Sequence, residues 1–285
     1  MSQAVSSYSQ ASNPQRCLVI FLKRLALQPA VLVCVEASEG SVPRETGAWM
    51  AVFASTLVGT VGGGRLEFDA QSHARAMLQS SDTSGSAQTM RFALGPSLGQ
   101  CCGGVVHLRF ERVGVQDIAV LKRRLQPALQ PVALFGGGHV GHALVQLLVT
   151  LPFDITWIDS RDGVFATSVP PGVACEHSEP VQSAVPGLVA QSRVLILSFS
   201  HAEDLDVLST CLQRQRERAD LPYIGLIGSK TKWATFRHRL EARGFTPHEL
   251  AHVTSPIGVA GITGKAPEVI AVAVAAQLLQ IAANR

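Results

Sequence analysis

Gly136-Gly137-Gly138-His139-Val140-Gly141 is a G-x-G-x-x-G run, and it decides the fold of the second half of this chain. It directly follows an apolar segment of strand length, 132–135, and directly precedes a segment with helical apolar spacing, 140–150. Glycines in such a loop allow a tight turn and a close approach of a phosphate, while the helix N-terminus offers unpaired N–H groups. The run therefore predicts a phosphate site. The alternative is a glycine turn that only packs the strand against the helix.

An acidic residue stands where such a loop usually has its partner. Asp159 closes the next predicted strand, 154–158, at the position from which dinucleotide-binding units contact ribose hydroxyls. Arg161, two positions further on, is placed to meet a ribose phosphate. A nicotinamide dinucleotide is the default ligand, but a terminal monophosphate on another cofactor suits the same helix end. The residues alone leave the identity of the ligand open.

Apolar strands and helices alternate through the rest of the second half. Strands are predicted at 154–158, 193–199 and 223–227, and helices at 140–150, 204–218, 230–243 and 266–283. This alternation predicts a doubly wound parallel sheet of Rossmann type, covered by helices on both faces. Two prolines within 126–131 mark a boundary before it, so that the Rossmann-type domain is expected to cover 131–285.

The first half mixes strands and helices in a less regular order. Helices are predicted at 15–27, 66–79 and 115–125, and strands at 30–37, 49–54, 89–94 and 105–110. These elements predict an N-terminal mixed α/β domain over 15–126, which makes the whole chain an α/β protein. Residues 1–14 are rich in Ser and Gln and lack an apolar block, which indicates a flexible tail and not a signal sequence.

The composition excludes several classes of protein. Hydrophobic residues make up 47% of the 285 positions and charged residues 16%, which is enough to bury a core and argues against disorder. The net charge of +3 and the lack of basic runs argue against nucleic acid as a partner. The most apolar segment, 269–283, is too short to span a membrane comfortably, so a buried helix is the better interpretation.

The cysteines are scattered, apart from one adjacent pair, Cys101 and Cys102. Their spacing does not suggest a disulfide framework or a C-x-x-C zinc site, and we expect reduced thiols in the cytoplasm. A soft thiolate in the glycine-flanked loop of the pair suits molybdenum or transient sulfur chemistry. The alternative is that these two residues are small buried apolar side chains. The other cysteines, Cys17, Cys34, Cys175 and Cys211, are expected only to pack.

A series of short motifs carries a family resemblance. In chain order they are Gly40-Ser41-Val42-Pro43-Arg44, Gly59-Thr60-Val61-Gly62-Gly63-Gly64-Arg65-Leu66-Glu67, Cys101-Cys102-Gly103-Gly104, Gly136-Gly137-Gly138-His139-Val140, Asp159-Ser160-Arg161, Tyr223-Ile224-Gly225-Leu226-Ile227-Gly228-Ser229-Lys230 and Pro256-Ile257-Gly258. With these motifs the chain resembles the XdhC/CoxI family of xanthine dehydrogenase accessory proteins, from about residue 30 to residue 279. It departs from the family at Gln277, where a glutamate is usual, and before Pro256, where a basic residue is usual.

The resemblance implies a chaperone and not a turnover enzyme. Members of the family bind molybdenum cofactor, support its sulfuration with a cysteine desulfurase, and deliver it to the molybdenum-binding subunit of xanthine dehydrogenase. A cysteine of the N-terminal domain is implicated in holding the cofactor, and Cys101 or Cys102 occupies its place. The resemblance slightly favours Cys102 as the residue at the molybdenum. It does not decide whether the protein forms a homodimer.

Further candidates for cofactor binding stand at loops beside the motifs. In the second domain they are Gly136, Gly138, His139, Gly141, Asp159 and His201, and in the first domain Arg44 and Arg65. An imidazole at a helix entrance or at the carboxyl edge of a parallel sheet can donate to a phosphate or an oxo group. Each histidine can instead be part of a helix cap, and each arginine a solvated charge. The run Gly62–Gly64 is either a second anion-binding nest or a tight turn.

The main hypothesis is a cleft between the two domains that shields a labile cofactor until transfer. In it the Rossmann loop holds the pterin phosphate and the cysteine loop approaches the metal–dithiolene end. The first rival is an NAD(P)-dependent oxidoreductase, which the fold supports but for which no acid–base set stands out in the sequence. The second rival is a protein-only scaffold without a ligand, against which the complete glycine pattern argues.

Overall fold

The computed structural model describes residues 14–80, 87–94, 103–165 and 169–283. The chain divides into two compact units, residues 1–127 and 128–285. Cys101 and Cys102 lie outside the described residues.

The first unit contains a five-stranded antiparallel sheet. Its elements are α1 (Pro14–Leu25), β1 (Ala30–Glu39), β2 (Trp49–Val52), β3 (Leu57–Gly59), α2 (Gly64–Gln79), β4 (Gln88–Ala93), β5 (Val105–Val113) and α3 (Ile118–Leu125). The strand order is β3-β2-β1-β5-β4. Side chains of β1 alternate between the two faces, so that Val31 and Val33 pack with α2 while Leu32 packs with α1 and α3. Burial on both faces explains why the start of β1 is a continuous apolar run.

The second unit contains a six-stranded parallel sheet. Its elements are β6 (Gln130–Phe135), α4 (His139–Leu148), β7 (Phe153–Asp159), β8 (Ala174–His177), β9 (Arg193–Ile196), α5 (His201–Arg218), β10 (Tyr223–Leu226), α6 (Lys230–Ala242), α7 (Pro247–Leu250), β11 (Val253–Thr254) and α8 (Pro267–Ala283). The strand order is β11-β10-β9-β6-β7-β8, and every neighbouring pair is parallel. Counted from the start of this unit the order is 3-2-1-4-5-6, which is that of the Rossmann fold.

Helices cover both faces of this parallel sheet. Leu134 packs with α4 and α8 on one face, and Phe135 packs with α5 and α6 on the other. The sheet is therefore doubly wound, and the fold class predicted from the alternating pattern is confirmed. No helix among the described residues has both the length and the apolar character needed to cross a bilayer.

The structure differs from the predicted elements at short or polar segments. Strands β3, β8 and β11 and helix α7 were not predicted, because two to four residues carry too little periodicity to detect. The strand predicted through Phe199 ends at Ile196, and α5 begins at His201 instead of Asp204. The Cys175 thiol lies on exposed β8, so the prediction that it only packs in an apolar setting is wrong.

Candidate functional site

The strand order of the parallel sheet reverses between β6 and β9. From this pair the chain winds outward on opposite sides, and open α/β sheets bind ligands in the crevice at such a switch point, beyond the carboxyl ends of the strands. Gly136–Gly138 follow β6 and lead into α4, while residues 197–200 follow β9 and lead into α5. These two loops touch, because the Leu197 N–H donates to the Phe135 carbonyl over 2.8 Å.

Two glycines of the loop are required by packing. Gly136 has φ +124°, and a Cβ there would lie 1.9 Å from the carbonyl oxygen of Leu197. A Cβ on Gly141 would lie 2.1 Å from the carbonyl oxygen of Gly136, so this glycine lets α4 start close against β6. Trp157 holds the same carbonyl, since its Nε1–H donates to Gly136 O over 3.0 Å. Sequence reasoning did not identify Trp157 as a support of the loop.

Gly138 is different, because its missing side chain leaves open space. No atom lies within 4 Å of the position that its Cβ would take, and its φ of −78° is open to any residue. It is the N-cap of α4 and provides no side-chain cap. In contrast, Ser200 caps α5 and Ser229 caps α6 with their side chains. The first N–H groups of α4 therefore have no side-chain cap, and a side chain on Gly138 would enter open space.

The Asp159 carboxylate is buried, with 2% of the side chain exposed. It accepts four hydrogen bonds, from the Gly137 N–H at 2.6 Å, the Arg161 N–H at 2.9 Å, and the Arg161 Nε and Nη2 at 2.9 and 2.8 Å. Burial alone would raise the pKa of Asp159, but the bonds from Arg161 and Gly137 bring it below its usual value. The aspartate therefore fixes the glycine loop and carries its negative charge at neutral pH.

Arg161, which is half-buried, and the exposed Phe199 form a pair at the same edge of the sheet. The guanidinium carbon lies 4.6 Å from the centroid of the Phe199 ring, which is cation–π distance. Phe199 is 68% exposed although it is a large apolar residue. Sequence reasoning pointed to Arg161 as a partner for a ribose phosphate but did not identify Phe199. The available signal for Phe199 was its position directly before the N-cap of α5, after a central strand.

A buried ion pair fixes the neighbouring loops. Lys232 Nζ donates to Asp204 Oδ2 over 2.6 Å and to the Ile227 carbonyl over 2.9 Å. The other oxygen of Asp204 accepts from the Ser198 N–H over 2.7 Å. This pair therefore ties the loop after β9 to the loop after β10. Lys230, the last residue of the motif at 223–230, lies two positions before Lys232 and is exposed.

The two candidate histidines lie at helix starts and are both exposed. His139 is the first residue of α4, directly after Gly138. His201 is the first residue of α5, and its ring lies edge-on to Phe236 with centroids 6.2 Å apart. His139 is thus next to the open space at Gly138, where an imidazole can donate to an anion.

Three motif loops meet at one end of the sheet in the first unit. A Cβ on Gly62 would lie 2.5 Å from Cγ of Pro43, and a Cβ on Gly104 would lie 2.5 Å from the carbonyl oxygens of Glu39 and Ser41. These contacts bring together the motifs at 40–44, 59–67 and 103–104. The chain that leads from Cys102 into the sheet is held against the Gly40–Arg44 loop.

The glycine run of the first unit binds an anion that belongs to the chain itself. The buried carboxylate of Glu67 accepts from the N–H groups of Val61 and Gly63, both at 3.1 Å, and from the Thr60 hydroxyl. Of the run expected to form a second anion-binding nest, the Gly63 N–H is thus engaged by Glu67, and the Gly62 N–H donates to the Thr60 hydroxyl over 3.1 Å. Of the candidate arginines, Arg65 pairs with Asp69 over 2.8 Å on the surface of α2, and Arg44 is exposed beside Gly62.

One segment of the second unit has the residue spacing of a zinc site, but its side chains have structural roles. His248-Glu249-Leu250-Ala251-His252 has the H-E-x-x-H order that marks zinc sites on helices. Here α7 is a single turn, Glu249 closes a capping box with Thr246 and binds Arg216, and His252 Nε2 donates to the Leu221 carbonyl. The hydrogen bonds from Arg216 and Thr246 lower the pKa of Glu249 to about 2. Within the described ranges, no three Cys, His, Asp or Glu residues lie close enough to hold a metal ion.

The described cysteines differ in their access to solvent. Desolvation raises the pKa of the Cys34 thiol to about 11 and that of Cys211 to about 12, and Cys17 is also buried. Thiols with such pKa values are poor nucleophiles and poor metal ligands at neutral pH. Cys34 is therefore a suitable control for experiments on Cys101 and Cys102.

Comparison with known families assigns both units. Residues 132–278 match the XdhC Rossmann domain, and residues 24–93 match the XdhC and CoxI family. The chain belongs to the XdhC and CoxI family. Gln277, where the family resemblance led us to expect a glutamate, uses Oε1 to accept from the Tyr223 hydroxyl at 2.7 Å and from the Gly258 N–H at 2.8 Å. A glutamate oxygen can accept the same two bonds, so the departure preserves the contact.

Two individual proteins resemble this member of the XdhC and CoxI family along most of its length. The uncharacterized protein YqeB of Escherichia coli K12 is 25% identical over 257 residues, which are 90% of this chain and 44% of YqeB. The chain therefore spans less than half the length of that relative. A crystal structure titled a xanthine dehydrogenase from Bacillus halodurans matches with a TM-score of 0.76 at 22% identity, over 94% of this chain and 96% of that one. The second likeness concerns the fold.

Proposed function

We propose that this protein is an accessory protein of xanthine dehydrogenase. In this proposal it binds molybdenum cofactor, supports its sulfuration together with a cysteine desulfurase, and inserts it into the molybdenum-binding subunit. Membership of the XdhC and CoxI family supports the accessory role. The observation that carries the binding step is the uncapped start of α4 at Gly138, with open space in front of it.

The residues at this loop fit the phosphate end of the cofactor. A terminal phosphomonoester carries close to two negative charges, and a helix N-terminus stabilises such an anion through its free N–H groups and its dipole. Gly138 gives the phosphate access to the backbone, and the exposed His139 is placed to donate a further hydrogen bond. When bound, the cofactor supplies the molybdenum–dithiolene centre that xanthine dehydrogenase uses.

The first unit supplies the thiols in this proposal. A Cys101 or Cys102 thiolate is a soft ligand that suits molybdenum or a transient persulfide. Arg44 lies in the loop packed against Gly104 and Gly62 and projects an exposed positive charge there. We propose that Arg44 attracts anionic groups of the cofactor.

The test is anaerobic purification of the protein from cells that make molybdenum cofactor, followed by analysis of pterin and molybdenum. We expect the protein to retain both, with an affinity of about 1 μM, as suits a carrier that must release its load. An unrelated Rossmann domain purified in parallel is the control. Equal pterin content in the two preparations would contradict the proposal, as would failure of the loaded protein to activate apo xanthine dehydrogenase.

Alanine substitutions of the cysteines test the thiol role separately. We expect Cys101→Ala or Cys102→Ala to reduce cofactor binding and activation of apo-enzyme by roughly tenfold or more, with an unchanged melting temperature. Cys34→Ala is the matched control, since it removes a partly buried thiol from β1 and should cost only about 1 kcal/mol of stability. If both Cys101→Ala and Cys102→Ala deliver cofactor as the parent does, the thiol role is wrong.

One observation favours a second candidate, an NAD(P)-dependent oxidoreductase. The strand order and the glycine loop are those of dinucleotide-binding units. The state of Asp159 argues against this candidate, because its carboxylate is fully hydrogen-bonded within the protein. Fluorescence titration with NADH and NADPH separates the two candidates.

A further inference from the structure

We propose that Arg161 is a specificity-determining residue that prevents the Rossmann unit from binding NAD(H). It does so by occupying the carboxylate with which Asp159 would otherwise bind a ribose. The inference depends on the proposed function only for the identity of the preferred ligand, since the exclusion of dinucleotides concerns the site itself. Its physical basis is that all the hydrogen-bond acceptor positions of the Asp159 carboxylate are already used.

A carboxylate offers about four lone-pair positions, and all four are used in Asp159. Oδ1 accepts from the N–H and Nε of Arg161, and Oδ2 accepts from the N–H of Gly137 and Nη2 of Arg161. Dinucleotide-binding units use the acidic residue at this position to accept from the ribose 2′-hydroxyl. A ribose hydroxyl that reached Asp159 here would find no acceptor position left.

Arg161 is held in place from two sides. Its contact with Asp159 is a bidentate ion pair to a buried carboxylate, and removing one partner of such a pair leaves an uncompensated charge. The Phe199 ring packs against the guanidinium at 4.6 Å, and the negative charge of Glu203 also acts on Arg161. Displacing Arg161 with a neutral sugar hydroxyl would therefore cost more than the new hydrogen bond returns.

This arrangement defines the class of ligand that the site accepts. The start of α4 remains open to a phosphate, since Gly138 has no neighbour within 4 Å of its Cβ position. The ribose position is closed by Arg161. The site therefore binds a phosphomonoester whose remaining part needs no hydrogen bond between a ribose diol and Asp159. It does not bind NAD(H).

The experiment measures NADH binding to three forms of the full chain by fluorescence titration. Arg161→Met keeps an apolar stem against Phe199 but removes the two side-chain hydrogen bonds from Nε and Nη2, which leaves two acceptor positions of Asp159 free to bind a ribose. We expect weak NADH binding by the parent and a gain of roughly tenfold or more in Arg161→Met, because charged hydrogen bonds to hydroxyls become available. The double variant Arg161→Met/Asp159→Asn should return to the parent level.

Several results would overturn the inference. They are binding of NADH by the parent in the low micromolar range, no gain in a folded Arg161→Met, or a gain that survives in the double variant. If Arg161→Met melts early, Arg161→Gln gives the same test with a polar side chain. Pterin retention by the parent is measured separately, so that failure of the accessory function and failure of this inference are distinguished.

Discussion

Gly138→Val is expected to lower cofactor affinity roughly 100-fold or more, because a branched side chain would fill the space that a phosphate needs at the start of α4. The fold should survive. The φ of Gly138 is −78°, and a Cβ added there would meet no atom within 4 Å apart from those of its chain neighbours, so the backbone can accept a side chain. Loss of a favourable N-cap residue costs about 1 kcal/mol or less.

The measurement is pterin retention together with a thermal melt. Gly187→Val is a matched control, since Gly187 also has open space at its Cβ position but is the last residue of the 3₁₀ helix Val181–Gly187 and does not lie at the switch point. Gly138→Ala should fall between the parent and Gly138→Val in affinity. A folded Gly138→Val protein that binds cofactor like the parent would refute the role of the loop.

Gly136→Ala is expected to lose both the fold and cofactor binding, whereas Gly138→Val should lose only binding. Its Cβ would lie 1.9 Å from the Leu197 carbonyl, and φ of +124° is strained for alanine. Relief requires β6 and β9 to move apart in the centre of the sheet. We expect a loss of at least about 3 kcal/mol of unfolding free energy, or roughly 6 °C or more in the melting temperature.

Chemical denaturation monitored by circular dichroism measures this loss directly. Gly137 provides a comparison, because a Cβ there would lie 2.0 Å from a side-chain atom of Val164 and not from backbone. Gly137→Ala should therefore cost less than Gly136→Ala. Equal stability of Gly136→Ala and the parent would show that the loop can shift freely, and the packing roles of the glycines would then be wrong.

The fold was predictable because its signals are regular along the chain. The alternation of apolar strands with helices after Val132 predicts a parallel sheet, and the structure has one. The exposed strand β8 gave no such signal, since all four of its residues face solvent. The end of β9 was predicted three residues late, because the apolar run continues to Phe199 after the strand has ended at Ile196.

The candidate site was predictable only in its residue types. The sequence places an aspartate at the end of β7, but it does not reveal that Arg161 and Gly137 already use the Asp159 oxygens. In the same way, the glycine run of the first unit suggests an anion nest, and only the structure shows Glu67 inside it. Whether the hydrogen-bonding atoms of a site are already used depends on the directions in which the neighbouring side chains point. The spacing of residues along the chain does not show these directions.

The contacts of Glu67 have a consequence for the timing of assembly in the cell. A loop of backbone N–H donors that depends on an external anion becomes ordered only when that anion binds. This loop instead receives its negative charge from Glu67, as soon as α2 has been synthesised. The order of this loop is therefore independent of any external ligand, and the first unit can fold before it meets one.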